Sequence, residues 1–389
     1  MHILCVGGFN YPGYFGDSSR IPILARYLRK KGVRVSFLLL TYPRKGKFQG
    51  KEIIDQIEIY RLFPYIYHEK LSSQLVRLLK PLDIMHNPFR MIRKLHQLIK
   101  IENFDLVLGF MPRFTGGVPA SLCKKYKIPF LLDVSDFEYY TPFWRIFRRI
   151  DRLALFKADL ITVINRFVKS YITELGVSSN RIKYIPNGIN FQLFNPKVKG
   201  NEIRQKYDDR PIILHVGAFY SLNLVMDAMP LIVDENPDVL FLFVGPRNRD
   251  YYENLVSKTK YKDNFTFIES VPHERVPEYI AATDICILTF KKSKYTDYSQ
   301  PFKILEYLAC GKPIISTDLL GVRDIVKSSD LTEYLVRDPT SFAKKINQLL
   351  ADKSLREQLG KIGYEIVKIK YDWEKITSKF MMLCEKLIK

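Results

Sequence analysis

The chain has 389 residues, 47% of them apolar, with 61 Lys and Arg against 41 Asp and Glu and a formal net charge of +20. That length exceeds what one hydrophobic core organises, so two domains are expected, and the composition excludes a low-complexity or disordered chain. The charge is uneven: residues 1–190 hold 31 basic against 14 acidic side chains and the remainder 30 against 27. Only the first half therefore asks for an anionic partner, whether lipid headgroups, a phosphorylated acceptor or nucleic acid.

The opening MHILCVGGFNYPGYFG has no basic leader, and its apolar run breaks at Gly7-Gly8, which argues against a signal peptide. The longest apolar stretches, VSFLLLTY and LFLFVG, fall short of the roughly 20 residues that span a bilayer, so a cytoplasmic protein, or one on the cytoplasmic face of a membrane, is expected. Cys5, Cys123, Cys286, Cys310 and Cys384 are scattered, with no C-x-x-C pair, and read as buried apolar residues in a reducing compartment.

His2 to Val6 is the first expected strand. The loop after it, through Asp17, carries Gly7, Gly8, Gly13 and Gly16, which do not form G-x-G-x-x-G. Gly8, Tyr11 and Gly16 are candidates for an acceptor-facing loop, with plain turn glycines as the alternative. A helix from about Ser18 to Lys31 follows from Ile21, Leu24, Ala25 and Leu28, with Gly32 as its stop. Val33 to Leu40 is the next strand, which completes the opening of a doubly wound sheet.

Further strands are expected at Asp105 to Phe110, Pro129 to Val134, Asp159 to Ile164 and Ile182 to Ile185, with helices at Val118 to Tyr126 and Val168 to Leu175. Two basic aromatic stretches, Lys80 to Lys100 and Phe143 to Lys157, read either as surface helices or as a peripheral contact with an anionic membrane. A linker is expected near Asn195 to Asn201.

A second series begins at Pro211, with strands Ile212 to Val216, Leu240 to Val244, Phe265 to Ile268, Asp284 to Leu288 and Pro313 to Ser316. Helices alternate with them near Leu222 to Asp234, Arg249 to Thr259, Val276 to Ala282 and Phe302 to Ala309. The pattern predicts an α/β chain of two Rossmann-like parallel-sheet domains facing a cleft, where ligands of such folds bind.

The most specific segment is SQPFKILEYLACGKPIIST, Ser299 to Thr317. Pro301 is expected at the first position of a helix, where its missing N–H is harmless, and the free amides of that end attract phosphate. Lys303 in the first turn adds a full positive charge, and Glu306 follows on the same face. His215 falls mid-strand and reads as a core residue.

This segment resembles the donor-site helix of glycosyltransferase family 4 and its GT-B relatives, in the form S-x-P-x-K-x-x-E-Y-x-A-x-G-K-P. The resemblance implies the GT-B fold, with residues 1–195 as acceptor domain, 196–365 as nucleotide-sugar domain, and 366–389 as a terminal helix returning to the first domain. IPNGIN, ILHVGAFY, FLFVGP, ERVPEYIAATDICILTF and GVRDIV follow in the family's order. Glu306 is implied as ribose ligand, and Lys303, Pro301, Ser299, Phe302, Gly217 and Arg247 as further donor-site residues.

Two departures stand out. Tyr298 occupies the place of the first Glu of the family's E-x7-E pair, and the Arg and Lys that commonly follow the second domain's first Val-Gly are absent from Val216 to Asn223. Diphosphate would then rest on Lys303, the helix end and Arg247. On the acceptor side PFLLDVSDFEYY offers Asp136, and after it Asp133, as catalytic bases in place of the His of many relatives. No D-x-D pair stands in the donor domain, so no metal and no cofactor are expected.

The function implied is sugar transfer from a nucleotide sugar to a sugar, lipid-linked or glycan acceptor, and no nucleic-acid partner is expected because no recognition module is present. A nucleotide-sugar epimerase of the same fold, or a non-catalytic binding subunit, are the alternatives.

Overall fold

The computed structural model describes residues 1–9, 11, 20–40, 50–62, 73–112, 116–135, 148–218, 221–245 and 249–389, with the side chains of 73–85 and 148–151 left aside. The chain divides into two compact units, Met1–Pro186 with Glu374–Lys389, and Asn187–Trp373.

In the first unit eight strands make one sheet: β1 His2–Gly7, β2 Arg34–Leu40, β3 Gly50–Ile54, β4 Ile57–Leu62, β5 Leu106–Phe110, β6 Phe130–Val134, β7 Leu160–Val163 and β8 Ile182–Tyr184. Their order is β3-β4-β2-β1-β5-β6-β7-β8, parallel throughout except for the antiparallel β3–β4 pair. β1 and β6 are buried along their whole length, as continuous apolar runs must be when a parallel sheet is covered on both faces. The helix Arg20–Lys30 buries Ile21, Leu24, Ala25 and Leu28 and is followed by Gly32 at φ +81°, the left-handed stop a glycine supplies.

The β3–β4 hairpin was not foreseen. Its turn is Asp55-Gln56, both in the left-handed region at φ 51° and 60°, the geometry a two-residue hairpin needs but which Asn-Gly usually signals. The expected helix at 118–126 is instead a short α-helix, Gly117–Ala120, running into a 3-10 helix, Ser121–Tyr126.

The second unit is built on six parallel strands: β9 Ile212–Val216, β10 Leu240–Val244, β11 Phe265–Ile268, β12 Ile285–Leu288, β13 Ile314–Thr317 and β14 Leu335–Val336. Their order, β11-β10-β9-β12-β13-β14, reverses between β9 and β12, and the crevice at the carboxyl ends of strands beside such a switch is where ligands bind.

The segment 195–201 expected as a linker lies inside this unit, with Pro196, Lys197, Lys199 and Asn201 exposed and Gly200 buried. Phe194 is buried beside it, and a Cβ on Gly200 would lie 2.3 Å from the Ala282 nitrogen. The chain passes between units at Pro186–Asn187 and Trp373–Glu374. Near these points Ile189 N–H donates to Tyr371 O at 2.6 Å, Trp373 N–H donates to Ile189 O at 3.3 Å, and the Trp373 indole would collide with any side chain at Gly188.

The last helix, Trp373–Ile388, buries Trp373, Ile376, Thr377, Phe380 and Cys384 at three- and four-residue spacing. Residues 366–370 end a separate helix, Lys353–Lys370, of the second unit. All five cysteines are buried and free. Among the described residues no helix is long and apolar enough to cross a membrane.

Candidate active site

The helix Phe302–Ala309 forms because Ile304, Leu305, Tyr307 and Leu308 all bury their side chains. Its register is fixed by the Tyr307 hydroxyl, which accepts from the Val216 N–H at the end of β9 at 2.9 Å. Pro301 is not the first helical residue but the N-cap, with φ −67° and ψ 125° and no side-chain cap. Its extended ψ places it just outside the helix; Ile304 N–H donates to Pro301 O at 3.2 Å, and no side chain caps the amides of Phe302 and Lys303.

Lys303 extends from this first turn across Gly217, which follows β9. A Cβ on Gly217 would stand 2.2 Å from Lys303 Cε and 2.4 Å from Nζ, and the glycine's φ of +109° is left-handed. Gly245 after β10 is equally constrained, since a Cβ there would meet the Gly217 carbonyl at 2.0 Å. The ammonium lies 5.3 Å from the centroid of the Phe290 ring, two residues past β12. Among the described residues no carboxylate pairs with it. Burial pulls its pKa below the usual lysine value, with Glu306 opposing. His215, buried behind it in β9, is held neutral, its pKa pulled down to about 3 by burial and then by Lys303.

Glu306 is 7% exposed, and its Oε1 accepts from His273 Nε2 at 3.0 Å. The imidazole packs at 5.2 Å against the Phe194 ring. His273 was not anticipated: it stands 33 residues before its partner, in a 3-10 turn, His273–Arg275, after β11, and no spacing rule links the two.

The Ser299–Pro301 stretch is pinned from two sides. Asn187 donates from its backbone N–H to Gln300 Oε1 at 2.6 Å and from Nδ2 to Gln300 O at 3.0 Å. A Cβ on Gly321 would sit 1.6 Å from the Ser299 carbonyl. The Ser299 hydroxyl donates to Thr296 O at 2.8 Å, and Phe302 is half-buried. Ser299, Pro301, Phe302, Lys303, Glu306 and Gly217 thus come together at the switch point, while Arg247 lies outside the described residues.

The first unit reads differently. Asp133, at the end of β6, is fully buried. Its Oδ2 accepts from Arg20 Nε at 2.9 Å, and its Oδ1 from Arg20 Nη2 at 3.0 Å and Thr162 Oγ1 at 2.6 Å. Arg20 also donates to Pro186 O at 2.7 Å and Ile185 O at 2.8 Å. A carboxylate with both oxygens committed in a dry ion pair holds structure rather than takes a proton, which corrects the expectation of a catalytic Asp133. Tyr11 is corrected likewise: it is 1% exposed, with its hydroxyl donating to Asp55 Oδ2 at 2.5 Å and its ring against Phe37. It is core rather than acceptor loop. Gly8 is exposed just past β1, and Gly16 and Asp136 lie outside the described residues.

Two family models match the chain, one described as Glycosyltransferase Family 4 over residues 22–193 and one as Glycosyl transferases group 1 over residues 199–366. The spore coat protein SA of Bacillus subtilis is 22% identical over 252 residues, 59% of this chain and 65% of that protein, so the chain spans just under two thirds of that relative. The N-acetyl-alpha-D-glucosaminyl L-malate synthase of Bacillus anthracis is 22% identical over 97% of this chain and 95% of its own length. The crystal structure of Anabaena HepE in complex with UDP resembles it with a TM-score of 0.76 at 15% identity, covering 99% of this chain and 100% of that one. At that identity the likeness speaks for the fold.

Proposed function

That the chain belongs to the family 4, group 1 glycosyltransferases of the GT-B fold is the premise from which we propose that it moves a sugar from a nucleoside diphosphate sugar to an acceptor hydroxyl. The observation that carries the reading is Lys303: a desolvated ammonium with no carboxylate partner among the described residues, against Gly217 and beside an uncapped helix end.

As the bond between sugar and diphosphate breaks, charge gathers on the leaving phosphate oxygens. A preformed cation and aligned amides stabilise that charge without having to reorganise. In this reading Glu306 takes the ribose hydroxyls, Ser299, Pro301 and Phe302 shape the diphosphate side, Arg247 adds a second cation, and no metal is required. Of Asp133 within β6 and Asp136 beyond it in sequence, Asp136 is the proposed base, since Asp133 is committed to Arg20. Gly8 and Gly16 are proposed for the acceptor side.

The acceptor is proposed to be lipid-linked or a glycan, presented at an anionic membrane surface. Supporting this are the basic first half of the sequence and the exposed Phe89, Leu153 and Phe156 beside Arg93, Arg152 and Lys157.

The test is to offer the purified chain UDP-, ADP-, GDP- and dTDP-sugars and to follow nucleoside diphosphate release. Lys303→Ala and Glu306→Ala should each reduce release roughly 100-fold or more, and wild-type rates in either variant overturn the assignment. In parallel, the chain should cosediment with phosphatidylglycerol vesicles and not with phosphatidylcholine ones, and lose the association at high salt.

A further inference from the structure

We infer that His273 is a positioning residue of the donor site, which anchors the Glu306 carboxylate so that it meets the ribose with one oxygen and stays off the Lys303 ammonium. The inference rests on the reading of Glu306 as ribose ligand and deepens it.

Lys303 and Glu306 are three residues apart on one helix, a spacing at which opposite charges ordinarily pair. They do not pair here. Lys303 Nζ lies over Phe290 against Gly217, and the carboxylate is drawn to His273, whose Nε2 is 3.0 Å from Oε1. An ionised carboxylate only accepts, so Nε2 carries the hydrogen. The imidazole packs against the Phe194 ring, and its backbone belongs to the 3-10 turn His273–Arg275 that follows Pro272. Glu306 is 7% exposed, and in such surroundings a single hydrogen bond to a carboxylate decides its orientation.

Without the imidazole, Oε1 has no hydrogen-bond donor among the described residues, and the ammonium one turn back, with which the carboxylate already interacts electrostatically, draws it. The carboxylate then swings onto Lys303, which removes the ribose acceptor and neutralises the cation meant for the diphosphate. One lost imidazole disables two subsites, and the second loss runs through Glu306.

That coupling gives a test which a merely structural His273 would not satisfy. UDP and inorganic pyrophosphate are titrated calorimetrically into wild type, His273→Ala, His273→Gln, Glu306→Gln and the double variant His273→Ala/Glu306→Gln. His273→Ala should weaken both ligands by about tenfold, the worth of one charge-assisted hydrogen bond. His273→Gln, whose amide nitrogen can replace Nε2, should stay within about threefold of wild type. The double variant should regain pyrophosphate affinity and not UDP affinity, because no carboxylate is left to cover Lys303.

Unchanged UDP and pyrophosphate binding in His273→Ala, or failure of the double variant to regain pyrophosphate, overturns the inference. Glu306→Gln alone reports on the underlying reading: wild-type UDP affinity there sinks the ribose assignment. A loss in Glu306→Gln with none in His273→Ala sinks the positioning role only.

Discussion

Lys303 is held where water would otherwise carry its charge. Burial lowers its pKa from the usual 10.5, with Glu306 opposing, and a bound diphosphate must raise it again. Between the free and bound values ligand binding takes up a proton, so UDP affinity should fall as pH rises through that window, which lies below the ordinary lysine value. In the free protein the unfolded chain binds more protons than the folded one there, so stability should rise with pH across the same interval. Calorimetry in buffers of different ionisation enthalpy measures the uptake, and Lys303→Met should abolish it. Asp133 makes the contrasting case. Asp133→Ala strands Arg20 uncompensated in a dry site and should destabilise the fold by about 3–5 kcal/mol in urea unfolding. Asp133→Asn, by contrast, should leave turnover of the folded fraction within a few fold; a loss of about 100-fold would restore Asp133 as a base. Lys303 and Glu306 were legible because one short motif holds both. Asp133 was misread because its partner stands 113 residues away, and nothing local separates a paired carboxylate at a strand end from a free one.

Among the elements, the buried parallel strands were the most legible, since β9 and β10 each consist of five consecutive buried residues. The β3–β4 hairpin escaped because β3 alternates half-buried and exposed residues around a turn of two unremarkable side chains. The glycine loops were legible as loops, but what they make room for was not. Gly217 and Gly32 are both left-handed, yet a Cβ at Gly217 strikes Lys303 while one at Gly32 meets nothing within 4 Å. Gly32→Ala should therefore cost about 1–2 kcal/mol of stability from backbone strain alone with UDP affinity intact. Gly217→Ala should add a loss of UDP affinity of about tenfold or more as the ammonium is displaced. Equal UDP affinities in the two variants, read by titration, would contradict the placement of Lys303.

At the scale of the molecule, the alternation of strands and helices announced two sheets, and both are present. The linker expected near Asn195 to Asn201 falls nine residues past Pro186, where the chain leaves the first compact unit. The first unit is discontinuous in sequence: Phe380 and Cys384, fully buried, come from residues 374–389. Deleting 374–389 should lower the stability of the first unit by several kcal/mol, in line with the loss of buried Phe380, and leave that of the second unchanged. Scanning calorimetry should resolve the two as separate transitions.

The same discontinuity governs the order of events on the ribosome. Residues 187–373 leave the exit tunnel as an uninterrupted stretch and can fold while translation continues, whereas the half synthesised earlier must wait, with an open seam in its core, for residues 374–389. What is made first is finished last, and chaperones meeting the nascent chain would find their client at its amino-terminal half.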